Sequence, residues 1–256
     1  MNWSAKQYVL FEDERTRPVR DLLNAVPGTN VVSAIDLGCG PGNSTQMLVE
    51  RYPQASVSGL DSSADMIEAA RKRLPNCDFS IEDIEAWDEP RCFDVILANA
   101  VLQWLSHHAS VLPRLVRRLN KAGSLAIQMP DNLNEPAHLL MREIAAQPPW
   151  RDKLAKSTGE RSVLEPVDWY YDLLRPLCGR VDIWRTTYHH PLAGGADAVV
   201  EWFKGSGLRP FLRPLDDIEQ EAYLSRYRAA IADAYPALAD GTVLLPFPRL
   251  FIVATR

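Results

Sequence analysis

Apolar and polar positions alternate along this chain in two rhythms. Val31, Val32, Ala34, Ile35 and Leu37 form a short apolar run broken only by Ser33, which predicts a buried strand over 31–37. Comparable runs predict strands over 55–60, 77–81, 93–98 and 123–129. The segments between them keep their apolar residues on one helical face: about 42–51, a helix capped by Ser62 or Ser63 with Met66, Ile67, Ala69 and Ala70 inward, and 111–119. Ahead of the first strand, Val19, Leu22, Leu23 and Val26 recur at i, i+3, i+4, i+7. Thr16 is the cap there, Pro18 lies in the first turn and Pro27-Gly28 is the stop. Residues 1–26 are thus expected to be helical in two pieces. Strand and helix alternating over about 30–130 predict a parallel sheet with helices on both faces.

After Pro130 the rhythm breaks. Residues 131–180 hold helix-like pieces interrupted by prolines 136, 148, 149, 166 and 176. Val181 to His189 alternates as a strand does, 196–207 and 216–235 read as helices, and Arg249 to Thr255 is a last apolar strand. The expected organisation is one domain, 1–256. It has an N-terminal helical lid (1–30), a βαβ core (31–130), helical inserts at 131–180 and 193–246, and closing strands at 181–192 and 247–256. Ligands of open α/β sheets bind off the carboxyl ends of the strands, so the inserts are expected to form a substrate lid there.

The first strand runs into DLGCGPG, with Gly38, Gly40 and Gly42 at every second position and Asp36 two residues ahead. A glycine turn off a strand brings bare backbone N–H groups to a nucleotide-like ligand without a Cβ in the way. The spacing is not the G-x-G-x-x-G of dinucleotide sites, and no Lys-Ser or Lys-Thr pair follows as in a P-loop. An acid before the turn repels phosphate and suits a cation. Asp61 ends the second strand, where an acid accepts hydrogen bonds from a ribose diol or caps the next helix. Ser62 and Met66 follow it and could flank an adenine.

D-x-G-C-G-P-G resembles motif I of the Rossmann-like class I S-adenosylmethionine (SAM) methyltransferases. That resemblance implies an α/β fold with a mostly parallel seven-stranded sheet, helices on both faces and a helical lid, and it implies SAM as cofactor. The site residues implied around the turn are Asp36, Gly38, Cys39, Gly40, Asp61, Ser62 and Met66. In IEDIEAW, an acid of the pair Glu82-Asp83 would contact the adenine amino group and the backbone of Ile84 would help read the ring. FDVILANAVLQWL resembles motif IV. It places Asn99 and Ala100 level with the sulfonium, their carbonyls toward the methionine part, and leaves Trp104 as either core or a wall over the methyl donor. A sulfonium is a cation, so carbonyls, carboxylates and aromatic faces are expected around it, with Trp3, Tyr8 and Trp104 as candidate faces.

Composition narrows the picture. A chain of 256 residues, 46% hydrophobic, can bury a sizeable core. Its net charge of −5, without a basic block, disfavours nucleic acid. No apolar run approaches the roughly 20 residues of a membrane span, and the N-terminus does not read as a signal peptide. Cys39, Cys77, Cys92 and Cys178 lack C-x-x-C spacing and read as reduced thiols of a cytoplasmic protein. His107-His108 and His189-His190 are neighbours that point apart, without a carboxylate motif, so packing or surface roles are expected and no metal site.

Beyond the core, the opening W-S-A-K-Q-Y-x-x-F-x-x-x-R-x-R-P-x-x-D-L-L, the run from Glu201 to Leu212 and the close from Leu244 to Ala254 resemble the trans-aconitate 2-methyltransferase family over essentially the whole chain. The resemblance implies monomethyl esterification of a small tricarboxylate, with S-adenosylhomocysteine as the other product. Carboxylates call for Arg and Lys. Lys204, Arg209 and Arg213 stand in a stretch without acids, Arg249 precedes the last strand, and Arg17 and Tyr8 lie in the N-terminal lid. Each is a candidate substrate contact or a solvated lid residue. A carboxylate acceptor is already ionised at pH 7, so no general base and no single catalytic residue is expected. Other readings are a SAM methyltransferase for another small acid, an amine or a phenol, and a non-catalytic SAM-binding protein.

Overall fold

The computed structural model describes residues 12–28, 30–157, 161 and 163–256; Trp3, Tyr8 and the first expected N-terminal helical piece lie outside the described residues. The chain divides into two compact units. The first comprises Met1–Met129, Leu164–Arg185 and Leu250–Arg256, the second Pro130–Val163 and Thr186–Arg249.

In the first unit, helix α1 (Glu12–Ala25) buries the face expected of it, Val19, Leu22 and Leu23, while Thr16, expected as its cap, and Pro18 lie inside the helix. Strand and helix then alternate: β1 (Ser33–Leu37), α2 (Asn43–Arg51), β2 (Ser56–Asp61), α3 (Ala64–Arg73), β3 (Asp78–Ile81), β4 (Phe93–Asn99), a 3-10 turn (Leu102–Trp104), α4 (His108–Arg117) and β5 (Leu119–Pro130). After α7 (Val167–Leu174) come two long strands, β6 (Arg180–Ala193) and β7 (Thr242–Thr255), both of which continue into the second unit. The seven strands form one sheet in the order β3-β2-β1-β4-β5-β7-β6. β1 pairs in parallel with β2 and β4, β2 with β3, and β4 with β5.

β7 runs antiparallel to β5. Ala122 N–H donates to the Arg256 carbonyl (3.1 Å) and Arg256 N–H to the Gly123 carbonyl (2.9 Å), while Asp131 N–H donates to the Pro248 carbonyl (2.9 Å). The central strands β1, β4 and β5 are largely buried on both faces, as strands between helices must be. Ile35, Leu37, Ile96, Ala98, Leu125 and Ile127 of the sheet join Leu112 and Leu115 of α4 and Tyr170 and Leu174 of α7 in one buried cluster.

Two expectations are corrected. Residues 164–180, expected within a lid insert, belong to the first unit, because α7 buries Tyr170 and Leu174 in that core. The last strand begins at Thr242 rather than Arg249. Pro246 and Pro248 argue against a strand there, yet they alternate with buried Val243, Leu245 and Phe247. The period-2 pattern holds, and proline is tolerated at strand positions whose N–H lies outside the ladder.

The second unit is helical around the outer halves of β6 and β7. It holds α5 (Pro136–Ala145), α6 (Arg151–Leu154), α8 (Gly195–Lys204), α9 (Arg209–Leu212) and α10 (Asp217–Ala234). α10 starts on a capping box. The Asp216 carboxylate accepts from Glu219 N–H at 2.9 Å, and the Glu219 carboxylate accepts from Asp216 N–H at 3.1 Å. α10 packs on α5 and α8. Its Tyr223 hydroxyl donates to the Met141 carbonyl (2.8 Å) and its Tyr227 hydroxyl to the Ala137 carbonyl (3.1 Å). His190 stacks on Trp202 at 4.6 Å, beside Phe247. No helix among the described residues is long and apolar enough to cross a membrane.

Candidate cofactor-binding site

The carboxyl ends of β1, β2 and β4 open on a cavity of about 270 Å³ in the first unit. Its floor is the turn from β1 into α2. Gly38, Gly40 and Gly42 have φ of +69°, +53° and +89°, the left-handed region that glycine enters without a Cβ penalty. Gly38 is also sterically required, since a Cβ there would stand 2.4 Å from Cγ2 of Val101. Cys39 N–H donates to the Leu60 carbonyl (2.9 Å), which ties the turn to the end of β2.

Asp61 links the same two elements through its side chain. Its Oδ2 accepts from Gly40 N–H at 3.0 Å and its Oδ1 from Ser63 N–H at 2.9 Å, at the start of α3. Asp61 does not occupy the cap position, which is Ser63, but receives that residue's N–H; Asp61, Ser62 and Met66 all face the cavity. Burial raises the Asp61 pKa, and the two N–H donors pull it back down. Each carboxylate oxygen keeps a lone pair for a further donor such as a ribose hydroxyl.

A third wall comes from the loop after β3. Glu82, Asp83 and Ile84 line the cavity. Asp83 Oδ1 accepts from Glu85 N–H at 2.8 Å, which closes an Asx turn in this loop. Arg114 of α4 fixes this loop by donating to three carbonyls, Ile84 (2.6 Å), Glu85 (2.7 Å) and Trp87 (3.1 Å).

The fourth wall follows β4, where Asn99, Ala100, Val101, Trp104 and Leu105 face the cavity. Ala100 has φ of +53°, an uncommon conformation for a residue with a Cβ, held by its N–H donating to the Gln128 carbonyl at 2.8 Å. Its own carbonyl accepts from Gln103 Nε2 at 2.7 Å. The Ala100 carbonyl, expected to face the methionine part, thus makes one bond to Gln103 and keeps a second lone pair. Asn99 Oδ1 is buried with no hydrogen-bond partner among the described residues, and a buried polar atom of that kind calls for one.

Asp36 and Cys39 do not line this cavity. The Asp36 carboxylate is fully buried behind the turn, where Oδ2 accepts from the Ser44 and Thr45 hydroxyls at 2.7 Å each. Burial, only partly offset by those hydroxyls, lifts its pKa to about 7. Cys39 packs with Ile67, Ala70 and Phe79, and burial drives its thiol pKa far up. Pro41, Val101 and Leu105 line the cavity without having been singled out. Their one legible signal was adjacency to the glycine turn and to Asn99-Ala100.

The substrate candidates lie elsewhere. Arg17 is exposed on α1. In the second unit, Lys204 pairs with Glu201 at 2.5 Å, Arg209 opens α9 and Arg213 is exposed just past it. Arg249 is buried, its guanidinium 4.5 Å from the centre of the Phe247 ring and 5.9 Å from that of Tyr188. The histidine pairs pack as expected of them: His108 and His190 are buried, and their neighbours His107 and His189 are exposed.

The polar lining consists of carboxylates, amide groups and a hydroxyl, with no Lys or Arg among the described lining residues. That set suits a ligand with a diol at one end and a positive centre near Asn99, and it fits SAM. Fold and cavity together define a class I, SAM-dependent methyltransferase. A family profile for a methyltransferase domain matches residues 29–165, and a methyltransferase structure from Bacillus halodurans superposes with a TM-score of 0.58 at 14% identity, over 93% of this chain and 98% of that one. The chain belongs to the trans-aconitate 2-methyltransferase family. It is 54% identical to the relative of that name from Rhodopseudomonas palustris strain BisB5, over 100% of this chain and 99% of the relative. It is 49% identical to the one from Agrobacterium fabrum, over 100% of both.

Proposed function

We propose that this chain transfers the methyl group of SAM to a carboxylate of trans-aconitate, giving the monomethyl ester and S-adenosylhomocysteine. The observation that carries the proposal is identity of about one half along the entire chain, both units included, with relatives of that name. When bound, SAM supplies a methyl group activated by a cationic sulfur. Asp61 is assigned the ribose diol, Asp83 and the backbone at Ile84 the adenine, and Ser62 and Met66 its flanks. Gly38 and Gly40 would offer backbone to the methionine part. Asn99 Oδ1 and the Trp104 ring would face the positive end. Asp36 and Cys39 act from behind, by holding the turn.

The acceptor needs no residue to take its proton, because a carboxylate with a pKa of about 4 is ionised at pH 7. The protein then contributes orientation, which can supply about 7–11 kcal/mol, and exclusion of water. The candidate cations and donors for the acceptor are Lys204, Arg209, Arg213 and Arg249 of the second unit, and Arg17 and Tyr8 of the N-terminal segment. The free cysteines accord with a cytoplasmic protein. A kinetic screen of tri- and dicarboxylic acids, amines and phenols against SAM tests the assignment. The expected result is a kcat/KM highest for trans-aconitate. A phenol or amine outranking every acid would replace the acceptor class, and SAM binding without transfer to any acceptor would replace the enzyme by a binding protein.

A further inference from the structure

Two arginines of the second unit hold Pro130, Asn132 and Leu133, and every acceptor they reach among the described residues is neutral. Arg161 donates through Nη1 to Asn132 Oδ1 at 2.8 Å and through Nη2 to the Pro130 carbonyl. Arg142 donates through Nη2 to the Leu133 carbonyl at 2.7 Å. The Nε of Arg161 is buried and reaches no acceptor among the described residues. His138 of α5, 6% exposed, likewise has an Nε2 without a partner. Burial and the charges of Arg161 and Arg142 hold that ring neutral, with its pKa pushed down to about 3. Burial lowers the pKa of Arg161 to about 10, with the charge of Asp131 opposing it, so the guanidinium stays charged at neutral pH.

Arg161 is half-buried, and the Asp131 carboxylate offsets part of the cost of desolvating its charge. Pinning a loop to two carbonyl oxygens needs only neutral donors; a guanidinium that keeps an N–H edge unused is built for something more. Nε and an adjacent Nη present two parallel N–H groups, the edge that grips a carboxylate bidentately. Pro130 is the last residue of β5, and ligands of open α/β sheets bind off the carboxyl ends of their strands.

We propose that Arg161 binds one carboxylate of the polycarboxylate acceptor, with Asn132 and the Pro130 carbonyl fixing the plane of its guanidinium. This rests on the acceptor class assigned above and adds a residue that the sequence pattern did not single out. Arg161 touches substrate; Asn132 is a positioning residue.

The test is steady-state kinetics of the full-length chain and of Arg161→Gln, Arg161→Lys and Asn132→Ala, with SAM affinity measured separately by calorimetry. Arg161→Gln is expected to raise KM for trans-aconitate about a hundredfold while leaving the Kd of SAM within about twofold. Arg161→Lys keeps the charge but loses the fork, and is expected to raise KM about tenfold. Asn132→Ala raises it less. The preference of the wild type for trans-aconitate over itaconate, a dicarboxylate, is expected to shrink in Arg161→Gln. Should that variant fail to fold, Arg161→Lys and Asn132→Ala still decide: an unchanged KM in both overturns the proposal. So does a fall in melting temperature and SAM affinity without a change in KM, which would mark Arg161 as a clamp on residues 130–132. If the wild type methylates no polycarboxylate, the functional reading and this inference fall together. If it does and the variants match it, only this inference falls.

Discussion

A methyl group placed on Gly38 would stand 2.4 Å from Cγ2 of Val101, so the cofactor turn and the segment after β4 close on each other through a missing side chain. Gly38→Ala meets that clash and, at φ of +69°, a backbone strain of roughly 1–2 kcal/mol. SAM affinity is expected to fall at least about tenfold. Val101→Ala removes the contact to Cγ2 but keeps Cβ at 2.7 Å and leaves the strain, so the double variant should regain only a small part of the loss. Calorimetric titration with SAM checks this, and an affinity in Gly38→Ala equal to that of the wild type contradicts it.

Asp36 makes stability depend on pH. Its carboxyl ionises near 3.9 in an unfolded chain and near 7 in the folded one. Between those values the folded protein holds a proton that the unfolded chain has lost. The stabilisation is therefore complete below about pH 4 and is lost as pH rises through 7, by at most about 4 kcal/mol. Asp36→Asn keeps an oxygen for Ser44 and Thr45 and carries no charge. It should flatten the pH dependence of urea or thermal melts over pH 5–8.5 and exceed the wild type in stability at pH 8. Parallel curves for the two proteins would contradict the assignment.

The His108 ring is held from both sides, by the Tyr170 hydroxyl at Nδ1 (2.9 Å) and by the Leu102 carbonyl at Nε2 (2.8 Å). Leu102 opens the 3-10 turn that carries Trp104 to the cavity. Tyr170→Phe leaves a buried ring nitrogen unpaired and should cost about 1–3 kcal/mol. Melting temperature should then fall by roughly 2–4 °C for each kcal/mol, with a several-fold weaker SAM affinity. A stability loss without any change in SAM binding would separate this pair from the cavity wall.

Arg114 offers a cleaner separation of the two ligands. Its three carbonyl contacts hold the loop at Ile84. Arg114→Ala is expected to weaken SAM binding about tenfold and to leave the KM for the acid unchanged at saturating SAM. A raised acid KM would show that this loop also serves the acceptor.

Much of the cavity lining in the first unit was legible in sequence because its residues are local to the ends of short strands. A strand followed by D-x-G-C-G-P-G, an acid ending the second strand and I-E-D-I after the third each place a residue by chain connectivity alone. What escaped was set by long-range contact. Val101 matters through Gly38, Ala100 takes its strained φ from Gln128 on the neighbouring strand, and Asp36 turns away from the cavity toward two hydroxyls eight and nine residues on. Arg161 carried no periodic signal, since its partners Pro130 and Asn132 lie about thirty residues earlier. The prolines of β7 hid half of a strand whose alternation becomes readable only once its partner is known.

The most direct test of the central claim is mass spectrometry of trans-aconitate incubated with SAM and the purified chain. The expected product is trans-aconitate carrying one added methyl group, formed in step with S-adenosylhomocysteine and releasing methanol on alkaline hydrolysis, as an ester must. Unchanged trans-aconitate, in the presence of a protein that binds SAM and is folded, would contradict it.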